Sequence, residues 1–143
     1  MGQAWLRAVP SPMEVGRHMK EYMLRILNQA DHEKTWSSEK HLEFVKKCEV
    51  YIENLKKEGK LLAAQPLART GKILSGKKGA WKEIPLGNTG EVQVGYYHIR
   101  AKDLDEAIAI AKGNPEFEYG DTARIEVRPI EIEEERTGFV YPK

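Results

Sequence analysis

Residues 92–99, VQVGYYHI, are aromatic and β-branched in alternation, the pattern of a half-buried strand. The chain then turns at once into a helix. Asp103 can cap that helix, with Glu106 three residues on as its capping-box partner. Leu104, Ala107, Ile108 and Ala111 form its apolar stripe, and Gly113, Asn114 and Pro115 stop it. RIEVRPIEI, 124–132, reads as the strand that follows. A strand feeding a short amphipathic helix feeding a strand restricts the fold to layered α/β arrangements.

The first half of the chain repeats the motif. EYMLRIL, 21–27, is a strand with Tyr22, Leu24 and Ile26 on one face and Met23, Arg25 and Leu27 on the other. Ser37 or Ser38 caps a helix that runs to about Glu58. Its stripe is Leu42, Val45, Cys48, Ile52 and Leu55, flanked by Phe44 and Tyr51, and Gly59 is the left-handed stop. LLAAQPL, 61–67, is a strand with a possible continuation at KILS, and residues 76–91, rich in Gly and Lys, read as a loop or loose hairpin. The order β-α-β-β-α-β predicts an α+β, ferredoxin-like domain: an antiparallel sheet with both helices on one face, and right-handed crossovers supplying any parallel pairing. The domain spans 20–132, with an extension at 1–19 and a charged tail at 133–143.

Composition narrows the function classes. With 143 residues, 41% hydrophobic and 31% charged, the chain suits one cored domain. A net charge of +1 gives no overall attraction to nucleic acid or to an anionic membrane. The single cysteine, Cys48, forms no disulfide within the chain. With no secretory signal evident, a cytoplasmic location is expected.

Two helices cover only one face of such a sheet. If Tyr22, Leu24, Ile26, Gly95, Tyr97, Ile99, Ile125 and Val127 face the helices, the other face carries Met23, Arg25, Leu27, Leu61, Ala63, Gln65, Val92, Val94, Tyr96, His98, Arg124, Glu126, Arg128 and Ile130. That face is too apolar to stay wet and too polar for a dry core. A homodimer that stacks two sheets around a partly polar cavity, open to a small anionic or polar ligand, meets both demands.

GKLLAAQPLARTG, 59–71, GYYHIRAKDLDEAIAIAKGNP, 95–115, and IEVRPIE, 125–131, together resemble the YCII-related and DGPF-like family. The resemblance implies a dimeric α+β barrel. Residues 83–91 resemble that family's DGPFaEtKE loop at Pro85, Thr89 and Glu91; Glu83 replaces its Asp, and Ile84, Leu86, Asn88 and Gly90 depart from it. The histidine implied on the first helix is replaced by Cys48, and no acidic residue follows Pro66 closely, so the family's suggested catalytic pair does not carry over.

The candidate site residues are therefore drawn from the open sheet face. His98 is a candidate acid/base, since imidazole titrates near neutral pH. Arg25 and Arg128 are candidate anion clamps beside Gln65 and Tyr96, with Glu126 able to neutralise an arginine instead. Asp31, His32 and His41 have no recognised metal-ligand spacing, and no metal or cofactor is expected. Cys48 in mid-stripe reads as an inert buried thiol. Lys77, Lys78 and Lys82 around Trp81 read as a solvated loop rather than a nucleic-acid platform. Two functions follow: a homodimeric small-molecule-binding protein, with or without lyase- or isomerase-type activity, or a non-catalytic dimerisation or regulatory module.

Overall fold

A computed structural model describes residues 19–87 and 89–142. The extension expected at 1–19 lies outside the described residues apart from Met19. The elements are β1 (Lys20–Gln29), α1 (Ser38–Lys57), β2 (Leu61–Pro66), β3 (Lys72–Lys77), β4 (Ala80–Pro85), β5 (Glu91–Ala101), α2 (Leu104–Lys112), α3 (Glu116–Tyr119) and β6 (Arg124–Pro129). The four-stranded sheet runs β2-β5-β1-β6. All its pairings are antiparallel. No parallel pairing is needed, because β1 and β2, which run the same way, are separated by β5. Helices α1 and α2 pack on one face, where Leu55 of α1 and Ala107 and Ala111 of α2 join Tyr22, Leu24, Ile26, Tyr97 and Ile99 in one core. This is the expected ferredoxin-like α+β architecture.

The helix boundaries follow their caps. The Ser37 hydroxyl accepts from the Lys40 N–H at 3.1 Å. Gly59 takes φ +70°, and the pair Gly59 N–H to Lys56 O and Lys60 N–H to Leu55 O closes a Schellman turn. Asp103 accepts from the Glu106 N–H at 2.9 Å, while Glu106 reaches back to the N–H of Lys102 rather than of the cap itself.

Several side chains depart from the expected faces. Ile26 pairs with Gly95 and Leu27 with Gln93, so Val94 is an extra residue in β5. This bulge returns Val92 and Val94 to the helix side and puts Gln93 on the open face. A second irregularity, between Leu61 and Ala63, turns Leu61 into the core in the same way. Gly95 suits this close approach: a Cβ on it would lie 3.0 Å from the Gln65 carbonyl oxygen of β2, a tight contact. Leu42 is 55% exposed. It lies about 200° around α1 from buried Phe44, outside the face that packs. Leu104 is 43% exposed, because side chains lean toward a helix's N-terminus and it opens α2.

Of the loop or loose hairpin expected, the structure has the hairpin: residues 72–85, six residues in each strand, with KILS in its first strand. It stands clear of the body, with Ile73, Leu74, Trp81 and Ile84 all more than half exposed. The charged tail folds back through a bridge between Glu133 and Val140. None of the helices is long and apolar enough to cross a membrane, among the described residues.

Candidate functional site

The alternation of β1 brings Tyr22, Leu24, Ile26 and then Asn28 to the helix side, so a polar residue occupies a core position. Asn28 is 1% exposed. Its Oδ1 accepts from the Gln29 N–H at 2.8 Å and from the Thr122 hydroxyl at 2.6 Å. With the oxygen committed, the amide nitrogen is aimed at Glu116, donating to Oε2 at 3.2 Å. Glu116 is delivered by the tight Gly113-Asn114-Pro115 stop after α2, where the Asn114 Oδ1 accepts from the Glu116 N–H at 2.9 Å. His32, in the turns after β1, lies behind it. Its Nδ1 is 3.0 Å from the Gln29 carbonyl, an acceptor only, so Nδ1 carries the proton. Nε2 faces Glu116 Oε2 and Glu33 Oε1, each at 3.7 Å, with no hydrogen-bond partner. Trp36, Phe44 and Tyr119 wall this corner by edge-to-face contact, with Trp36 also edge-on to His32.

Glu116 borders a cavity of about 220 Å³ between α1 and the sheet. Ile26, Phe44, Val45, Ile52 and Val94 supply its apolar wall, and Cys48, Asn114 and Glu116 its polar points. Burial pushes the Glu116 carboxyl above its ordinary value, against the opposing pull of His32 and of the Asn28 hydrogen bond. Burial likewise pushes the Cys48 thiol up to about 12, so it is protonated and a poor nucleophile at neutral pH. The Nδ2 of Asn114, a residue 2% exposed, has no partner. A shallower depression adjoins the cavity, bordered by Asp31, Lys34, His41, Leu67 and Arg69.

The residues singled out in the sequence divide between two places. Gln65 and Tyr96 stand in one cross-strand row with Arg25, the open-face row, and also border the helix-side cavity from β2 and β5. Arg25, His98 and Arg128 lie on the open face, each beside a carboxylate of the same chain. Arg25 donates to Glu126 at 3.2 Å and to Gln93 at 3.1 Å. Arg128 stands 3.7 Å from Glu126, and His98 Nε2 lies 2.7 Å from Glu21 Oε1. Arg124 pairs with Glu91 and holds that carboxyl below its usual range. Asp31, His32 and His41 form no metal-binding cluster, nor does any group of three or more His, Cys, Asp or Glu among the described residues.

Asn28, Asn114 and Glu116 were not found from sequence. A signal for Asn28 was present: it is the polar member of an otherwise apolar face. Glu116 gave none, following a helix stop as surface acids do.

Comparison with curated proteins finds no match. The YCII-related domain model matches residues 20–131, the whole of the sheet and both packed helices. The chain belongs to the YCII-related family.

Proposed function

We propose that this chain binds a small molecule in the cavity between α1 and the sheet. Glu116 meets the ligand, and His32, 3.7 Å behind it, is its positioning partner. The observation that carries this reading is the pair of buried polar groups, the unpartnered Asn114 Nδ2 and the Glu116 carboxyl, in residues lining a mostly apolar cavity. Such atoms are costly without partners and are concentrated where a ligand is met. A carboxyl raised by burial and backed by an imidazole is suited to general acid/base work, of the kind a lyase or isomerase uses.

Benzene tests the site, since a mostly apolar cavity of about 220 Å³ can take it up. A titration followed by amide NMR is expected to shift Val45, Cys48, Ile52 and Val94. Cys48→Phe, which fills the space, is expected to abolish those shifts while the fold is kept. No shift in the wild type, or shifts elsewhere that survive the filling, would remove this reading.

The open face belongs to a different part of the proposal. Its charges are satisfied within the chain, which favours a surface that sets the register of a stacked homodimer over one that clamps an anion with Arg25 and Arg128 or uses His98 as a base. Sedimentation equilibrium is expected to give a dimer. Met23→Lys, which adds a charge beside Arg128 on this face, is expected to give a monomer that still takes up benzene. A monomeric wild type would refute the dimer alone.

A further inference from the structure

We propose that the cavity takes a neutral molecule about the size of one ring, whose carbonyl-type oxygen accepts a hydrogen bond from Asn114 Nδ2. This rests on the small-molecule reading above and adds the ligand's chemical class.

The side chain of Asn114 has one orientation open to it. Its Oδ1 is committed to the Glu116 N–H at 2.9 Å, so the nitrogen is the end left over. That nitrogen is buried and without a partner in a residue that borders the cavity. An amide nitrogen only donates, so the complementary group is an acceptor. Charge selects among acceptors. Among the described residues, no lysine, arginine or histidine borders the cavity. A carboxylate or phosphate entering it would lose its hydration and meet Glu116, with Lys34, His41 and Arg69 only in the adjoining depression. Of the small anionic or polar ligand expected from sequence, this favours the polar, uncharged one; Arg25 and Arg128 lie on the other side of the sheet. An ammonium would find Glu116 but offer Asn114 only further donors. A ketone, aldehyde, ester or lactone oxygen satisfies Asn114 with no charge to bury. Burial favours the acid form of Glu116, which could give the same oxygen a second donor. The apolar remainder would lie against Ile26, Phe44, Val45 and Val94.

Three probes of one ring size separate the classes: cyclohexanone, cyclohexanecarboxylate and cyclohexylamine, each titrated into the full chain at pH 7 and followed by 15N NMR. Cyclohexanone is expected to bind at least about tenfold tighter than either charged probe and to move the Asn114 side-chain NH2 resonances. Asn114→Asp keeps the acceptor for the Glu116 N–H and removes the donor, so cyclohexanone affinity is expected to fall about tenfold. Should that variant fail to fold, the wild-type series decides. Preference for a charged probe, or cyclohexanone shifts that bypass the Asn114 side chain, would overturn the ligand class while benzene uptake still upheld the site. If benzene and all three probes leave the cavity amides unmoved, the small-molecule reading falls as well.

Discussion

Asn28→Asp is expected to lower the unfolding free energy by about 3 kcal/mol at pH 7 and to recover much of that loss by pH 5. The wild-type amide accepts from Gln29 and Thr122 and donates to Glu116. Aspartate keeps the first two roles and loses the third, setting a second buried carboxylate against Glu116. Two such groups cannot both ionise without a large cost, so they share a proton. The sign follows from the direction of the shift. Glu116 is already raised above its ordinary value of 4.5 in the folded chain, so the folded state holds its proton more tightly than the unfolded state. That contribution to stability is complete below the ordinary value and is lost as pH rises through the folded one. The substitution removes a hydrogen bond that opposes the shift, and so widens this window upward. Urea unfolding at several pH values measures it. A loss of the same size at pH 5 and pH 7 would show that Asn28 acts by shape alone.

Leu24→Ala is expected to cost about 3 kcal/mol at any of these pH values. Leu24 is fully buried at the centre of the sheet, between Tyr97 of β5 and Val127 of β6. Its loss removes apolar contact on a rigid surface that two paired neighbours hold in place, so the space collapses only in part. Leu42→Ala is the matched control, because Leu42 is 55% exposed and is expected to change stability by less than about 0.5 kcal/mol. The midpoint of denaturant unfolding, at unchanged slope, reads both. A small loss at Leu24 would contradict the packing of β1 described above.

These cases show where the sequence was informative. Leu24 was legible because alternation in a strand and the two-layer pattern both place it inward. Ser37, Gly59 and Asp103 were legible because caps act within a few residues of themselves. The faces of Val92, Val94 and Leu61 were not, because a single inserted residue in a strand exchanges faces and is fixed by the partner strand's register. Leu42 fitted the spacing of a stripe, but only packing decides how wide a stripe is used. The site was the least legible part. Asn28 and Glu116 are 88 residues apart and meet only because α2 stops where it does. The family resemblance, by contrast, rested on contiguous segments, and the match over residues 20–131 agrees with it.

The hairpin of β3 and β4 leaves and rejoins the body at one point, where the Leu86 N–H donates to the Gly71 carbonyl at 2.8 Å. Every rung beyond that neck is made within the hairpin, and its residues are all exposed. The arm is therefore an appendix in the engineering sense: its length and tip can be rewritten, or a reporter spliced between Lys78 and Gly79, without a core contact being touched. Such freedom makes it a natural handle by which to label or tether the protein while leaving the sheet and its cavity undisturbed.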